Sequence, residues 1–319
     1  MIRDVDPETW ARNPFVIAAP AAHSTLSAGA WHRALKIPVT PDAAACLARH
    51  QFFAAAKYAA AFESPELAAA LQAAGREPLV DGVFFTGIAN HWHFVVDGLG
   101  CLRDVADSGR RTLCVDAGYS DAQVDFVQRF AVAAGMERLR GVQRGSEACV
   151  GFRNGLFPTR RPFSERVHWV RSVLGVGKTA GGRGRLFVLR NGAATRRLLN
   201  QEAVAAMLAS RFGFETVDPA AMTLDEQVRA FRDAEAIVGP HGAGLTNMIF
   251  AARPAVLVEF FHSEQQIFYH SLCYALGARH YAMKGAPAAA ATDPSRIDNA
   301  DFTIDEGGLA AALARVLPG

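Results

Sequence analysis

The sequence predicts an α/β protein with two domains facing each other across a cleft, and three observations carry that reading. Short apolar runs alternate with helical patterns along much of the chain, the mark of strand–helix–strand units. A glycine-rich basic segment, Gly175 to Gly184 (GVGKTAGGRG), separates two such patterned regions. At 319 residues the chain is long enough for two ordinary cores. The division that follows is an N-terminal domain over 1–176, a linker over 177–184 and a C-terminal sheet domain over 185–300. A last helical segment over 301–319 is expected to pack back on the N-terminal domain.

In the N-terminal domain, Phe15-Val16-Ile17-Ala18 reads as a first strand. Thr40-Pro41-Asp42 combines an N-cap, a proline at the first helical position and an acid in the first turn, opening a helix to about Phe62. Ser64-Pro65-Glu66 repeats the device for a helix to Ala74, closed by Gly75. Val80 to Thr86 is a strand that leads into Asn90-His91-Trp92-His93 and a helix through Asp97 to about Val105. Thr112 to Asp116 is a strand, and Asp121 to Ala134 a helix closed near Gly135. Short strands follow around 138–142 and 148–152, then a helix near 164–174.

The C-terminal domain alternates more cleanly. Leu186 to Leu189 is a strand ending at Arg190, Asn200 caps a helix to about Phe212, and Phe214 to Val217 is a strand. Thr223-Leu224-Asp225-Glu226 is a capping box that opens a helix to Ala234. Ala236-Ile237-Val238 is too brief for a helix and reads as a buried strand. It stops at Gly239-Pro240-His241-Gly242-Ala243-Gly244, whose glycines allow a tight turn and close approach of a ligand to bare backbone. Leu245, Met248, Ile249 and Ala252 then mark a helix ended by Pro254, and the strand Ala255 to Val258 delivers Glu259. A helix over 264–276, a strand near 280–283, a surface loop over 285–300 and a helix from Gly308 to Leu317 complete the chain. The pattern is a parallel sheet covered on both faces.

Composition narrows the function. Half of the residues are hydrophobic and a fifth charged, as in soluble globular chains, and the net charge of +2 excludes a general nucleic-acid binder. The N-terminus lacks an apolar signal core, and no apolar run approaches the roughly 20 residues of a transmembrane segment. Five scattered cysteines without a C-x-x-C suit buried thiols in a reducing compartment. A cytoplasmic protein is expected, with peripheral membrane contact left open.

Three clusters carry the chemistry, at the carboxyl ends of strands where α/β sheets bind ligands. The first is the glycine turn with His241, Gly242, Ala243, Gly244, Leu245, Thr246 and Asn247, where free N–H groups at a helix start attract an anion, most simply a phosphate. The second is Arg190 with Arg196, Arg197 and Asn200. Residues 151–200 hold eleven Lys or Arg against the single acid Glu165, and most form a solvated face. Arg190 differs because it directly follows an apolar strand, the place for charge-assisted contacts to phosphate oxygens. The third cluster is His91, Trp92, His93 and Asp97. A zinc site lacks a third ligand at suitable spacing, whereas a carboxylate and an imidazole four or six residues apart on a helix form a general-base pair. Glu259, past a strand's end, is placed to accept from a ribose. Gly177-Lys178-Thr179 superficially resembles a Walker A ending, but its first glycine would fall on Ser172, which excludes a P-loop.

The stretches RLFVLRNGAATRRLLNQE, TLDEQVRAFRDAEAIVGPHGAGLTNMIF and VLVEF together resemble the glycosyltransferases of family 61. The motif residues fall on Arg190, Arg196 or Arg197, Asn200, Gln227 and the run from Gly239 to Asn247, with His91, Trp92 and Asp97 matching a first-domain motif. Where the family's first-domain motif is often preceded by tyrosines, this chain has Ile88-Ala89-Asn90. The resemblance implies a GT-B-like pair of Rossmann-like domains and inverting transfer from a nucleotide sugar, with UDP the expected nucleotide and no obligatory metal. It implies a glycan, lipid-linked saccharide or protein acceptor, a bacterial-type glycan enzyme, and a base at Asp97 or His91. Two rivals remain: a non-catalytic nucleotide- or glycan-binding module, and a nicotinamide-dependent oxidoreductase, which would want a third glycine after its first strand.

Overall fold

The computed structural model describes residues 2–4, 24–26, 31–32, 37–38, 79–84, 90–100, 102–103, 106, 112–115, 119–136, 141–144, 151–157, 162–177, 182–262, 268–288 and 300–317. The chain divides into two compact units, Met1–Val16 with Gly175–Gly319, and Ile17–Leu174. The strand expected at Phe15–Ala18 and the helices expected over 40–62 and 64–74 lie outside the described residues.

The first strand, β1 (Ile2–Asp4), belongs to the unit completed by the C-terminal half of the chain. The intervening unit carries β2 (Ser24–Leu26), β3 (Trp31–His32), β4 (Ile37–Pro38), β5 (Leu79–Phe84), β6 (Thr112–Val115), β7 (Gly141–Arg144) and β8 (Gly151–Phe157). Its five-stranded sheet has the order β2-β8-β5-β6-β7, parallel except for β2. Two helices are described here, α1 (Asp121–Ala133) and α2 (Phe163–Val173). A reciprocal capping box starts α1: Ser120 Oγ accepts from Gln123 N at 3.2 Å and Gln123 Oε1 accepts from Ser120 N at 3.0 Å. Gly135, in the left-handed region at φ 78°, follows its end. Phe126, Val127, Phe130 and Ala131 form the buried stripe of α1.

The other unit continues with β9 (Gly184–Val188), α3 (Gln201–Phe212), β10 (Glu215–Val217), α4 (Leu224–Phe231), β11 (Ala234–Pro240) and β12 (Val256–Phe261). It ends with α5 (Phe268–Leu276), β13 (Arg279–Lys284), β14 (Ala286–Pro287), β15 (Phe302–Thr303) and α6 (Glu306–Val316). Its sheet runs β1-β13-β12-β11-β9-β10, with five strands parallel as the alternation predicts. β1 adds an antiparallel edge whose three residues are too few for a pattern. Thr223 and Glu226 make the expected capping box at α4.

The core of this unit packs Phe187, Val238, Val258 and Phe260 from the sheet against Val204 and Leu208 of α3 and Leu309 and Leu313 of α6. The C-terminal helix thus packs into the core of this unit. Its apolar spacing is complementary to α3, which otherwise leaves Val204 and Leu208 uncovered. The helix expected from Leu245 is present as a 3₁₀ helix, Ala243–Phe250. The i, i+3 spacing of Leu245 and Met248 suits both helix types, so the pattern did not separate them.

Candidate functional site

In the C-terminal unit, the site grows from the carboxyl ends of β9, β11 and β12. β11 lies between β9 and β12, and a Cβ on Gly239 would sit 2.9 Å from the Val188 carbonyl of β9, so glycine lets these strands stay in contact. His241 N then donates to Phe260 O at 2.8 Å, holding the turn on β12. At Gly242 the backbone is extended, and what demands glycine is space: a Cβ there would overlap Nη1 of Arg190. The Tyr269 hydroxyl of α5 donates to the Gly242 carbonyl, and its ring stands edge-on to His241 with centroids 5.4 Å apart. Burial raises the Tyr269 phenol far above its ordinary range, so it remains a donor. In a 3₁₀ helix whose first bond is Leu245 N to Gly242 O, the Ala243 and Gly244 amides have no intrahelical acceptor.

Arg190 reaches Gly242 from the end of β9. Its backbone N donates to Gln201 Oε1 at 3.2 Å and its Nε to Thr195 O at 3.4 Å. Burial, then the neighbouring charge of Arg196, lowers the guanidinium's hold on its proton. Arg196 itself adopts φ 57°, and its buried Nε has no hydrogen-bond partner. Among the described residues no carboxylate pairs with either arginine. Two like charges brought together beside a glycine face and amides without an intrahelical acceptor are an arrangement that can hold an anion.

The remaining expected residues support that site from behind. Asn247 is fully buried and donates to Gln227 Oε1 at 2.8 Å, while Gln227 Nε2 donates to Pro219 O at 3.0 Å and Met222 O at 3.2 Å. The pair latches the 3₁₀ helix to α4. Leu245 is buried in the core, and Thr246 is buried beside the Tyr269 hydroxyl. Asn200 makes no side-chain cap. Its amide donates to Ile304 O and Glu306 Oε1 and its oxygen accepts from Ile304 N, which ties the arginine loop to the C-terminal segment. Arg197 pairs with Asp301 at 2.6 Å rather than joining the other arginines.

Glu259 corrects the sequence reading. It lies within β12, not past its end, and is wholly buried. His241 Nδ1 bonds one carboxylate oxygen and His280 Nε2 the other at 2.7 Å, so no oxygen faces a ribose. Burial alone would push this carboxyl up, but the two imidazole bonds outweigh it and hold it below its ordinary value.

In the other unit, residues 93–99 form a π-helical turn, a wider helix often found at functional sites. His93 Nδ1 and Asp97 Oδ2 are 2.7 Å apart, so the imidazole four residues away meets the acid. Arg166 of α2 donates to the other Asp97 oxygen and, at 3.2 Å, to Val96 O. Trp92 stacks on Phe163 at 6.0 Å, and the Arg166 guanidinium lies over the same Phe163 ring. His91 is half-buried at the start of this turn. Tyr269, His280 and Arg166 escaped the sequence reading because each lies in an ordinary apolar helix or strand with no motif around it. Among the described residues no group of three His, Cys, Asp or Glu side chains is arranged to hold a metal ion, and no helix is long and apolar enough to cross a membrane.

An α/β protein with two arginines beside a strand–glycine turn has its polar groups gathered at the carboxyl ends of strands, where such sheets bind ligands. The model of the glycosyltransferase 61 family matches residues 91–258, more than half of the chain, and the chain belongs to that family. Over 85 residues it is 39% identical to a beta-1,2-xylosyltransferase, XAX1, of Oryza sativa subsp. japonica. That stretch is 26% of this chain and spans 15% of the relative's length.

Proposed function

We propose that the protein is an inverting, metal-independent glycosyltransferase of GT-B arrangement that takes its sugar from a nucleotide donor, most simply UDP-linked. The observation that carries the reading is Arg190 held against Gly242 with the charge of Arg196 beside it and, among the described residues, no carboxylate paired with either. The donor's diphosphate supplies the missing charge, resting on the Ala243 and Gly244 amides. An acceptor hydroxyl of a glycan, lipid-linked saccharide or protein attacks the anomeric carbon. The new C–O bond forms as the bond to the β-phosphate oxygen breaks, the electron pair leaves with the diphosphate, and the hydroxyl proton passes to a base. The base is Asp97 or His91, as the family motif implies. Arginines and amides do the work that a divalent ion does elsewhere. Membership of the family and a partial likeness to a protein named as a xylosyltransferase support transfer chemistry. A cytoplasmic enzyme of bacterial-type glycan synthesis fits this reading.

A second reading, a nucleotide-binding module without turnover, is favoured by one observation. Asp97 is buried with its two oxygens held by His93 and Arg166, as in a structural ion pair. Calorimetric titration with UDP followed by a donor-hydrolysis screen over nucleotide sugars separates the two. The transferase binds and turns over, and Asp97→Asn lowers turnover about 10²–10⁴-fold with UDP affinity unchanged. Binding without turnover of any donor defeats the first reading, and no nucleotide binding at all defeats both.

A further inference from the structure

Beneath the anion site runs a chain of polar side chains that the phosphate contacts alone do not require. His241, at the turn, bonds through Nδ1 to Glu259; Glu259 bonds through its other oxygen to His280; and His280 stands edge-on to His270, centroids 5.6 Å apart. Glu259 is wholly enclosed, while the His241 side chain is 16% exposed and its Nε2 has no partner among the described residues. An ionised carboxylate only accepts, so each imidazole nitrogen facing it carries the hydrogen. The titratable and charged groups around His241 are Glu259 from β12, His280 from β13, Tyr269 and His270 from α5, and Arg190 and Arg196 from the segment after β9.

We infer that Glu259 is a positioning residue that fixes His241 with its Nδ1 hydrogen inward and presents Nε2 to the diphosphate, where His241 serves as a third cationic donor beside Arg190 and Arg196. The inference rests on the nucleotide-sugar reading above. The buried carboxylate bonded to the same imidazole places a negative charge behind His241 and fixes the direction of its ring. His241 keeps its proton throughout. It hydrogen-bonds the departing oxygen through Nε2–H, and the electron pair of the broken bond stays on the phosphate. The geometry is that of a carboxylate orienting an imidazole, turned here toward a leaving group.

The test is UDP affinity by calorimetry from about pH 5.5 to about pH 8.5, spanning histidine titration. Wild type, His241→Ala, Glu259→Gln and Arg190→Ala are compared, with melting curves to show that each is folded. Subtracting the His241→Ala profile removes the titration of the phosphate itself. Wild-type affinity is expected to fall as pH rises, and His241→Ala and Glu259→Gln each to lose part of that fall. Because a buried substitution endangers folding, ¹⁵N NMR of the wild-type His241 ring supplies a second readout, and Nδ1 is expected to carry hydrogen. A bare Nδ1, or unchanged pH profiles in both variants, overturns the inference. Wild-type binding that depends on Arg190 but not on His241 overturns it while leaving the donor reading standing. No UDP binding by the wild type overturns both.

Discussion

Replacing Gly242 with alanine isolates one contact of the anion site. The backbone there has φ 172° and ψ 164°, which alanine adopts without strain, so the effect is one of space alone. The added Cβ would overlap Nη1 of Arg190, the far end of a flexible side chain, so the guanidinium swings aside and the strand stays in place. The protein keeps its charge but loses the placement of one cation. A hydrogen bond to a charged group contributes about 1.5–3 kcal/mol, so Gly242→Ala should weaken UDP binding by about 2 kcal/mol, or about thirtyfold. Arg190→Ala should do about the same. Because both substitutions remove one interaction, the double variant should bind like Arg190→Ala alone, with a coupling energy of about 2 kcal/mol. Calorimetric titration of the four proteins measures this, with melting temperatures of the Gly242 and Arg190 variants expected within about 4 °C of wild type. Wild-type affinity in Gly242→Ala, or penalties that simply add, would refute a placed Arg190.

Three further outcomes follow. If arginines and amides neutralise a bound diphosphate, as proposed, turnover should persist in excess EDTA; activity lost to EDTA and restored by manganese or magnesium contradicts this. Asn247→Ala strands the buried Gln227 Oε1 and should lower stability by about 1–3 kcal/mol in urea denaturation, with little change in UDP affinity per folded molecule. Burial first, and then His280, pulls His270 down to about 4 from the ordinary 6.5. The unfolded chain therefore takes up that proton first, so this contribution to stability is full above pH 6.5 and is lost as pH falls toward about 4. His270→Leu should flatten the denaturation midpoint over that window, and an unchanged slope would count against a neutral buried imidazole.

Much of the C-terminal unit was legible because its signals are local. Thr223 and Glu226 sit three apart as a capping box requires, Gly213 closes α3 in the left-handed region, and the apolar runs mark buried parallel strands. Arg190 was placed at the sheet edge by its position directly after β9, and the structure puts it there against Gly242. Partners distant in sequence were not legible. Glu259 reads from the sequence as a ribose acceptor because the apolar run ends at Val258; the two imidazoles that enclose it come 18 residues before and 21 after. His93 and His91 both lay near Asp97 in sequence, and only the wound helix decides which one reaches it. Asn200 has the residue type of an N-cap, but its tertiary bonds to Ile304 and Glu306 took precedence.

Those bonds explain how two arginines are held side by side after β9. Arg196 sits in the left-handed region, which disfavours a side chain by about 1–2 kcal/mol, with its Nε buried and a second guanidinium beside it. Left to itself, that loop would relax by turning Arg196 out to water. The segment after residue 300 prevents this by fixing the residues on its C-terminal side one after another. Arg197 N donates to Asp301 Oδ1 and its guanidinium to Oδ2; Phe302 N donates to Arg197 O and Leu199 N to Phe302 O; Asn200 clasps the Ile304 backbone from both sides. α6 anchors the segment in turn through Leu309 and Leu313 in the core. Strain at a site persists where its surroundings over-determine the backbone. Here Arg190 and Arg196 carry the charge, while Asn200 and the segment after residue 300 hold the loop that keeps Arg196 in place.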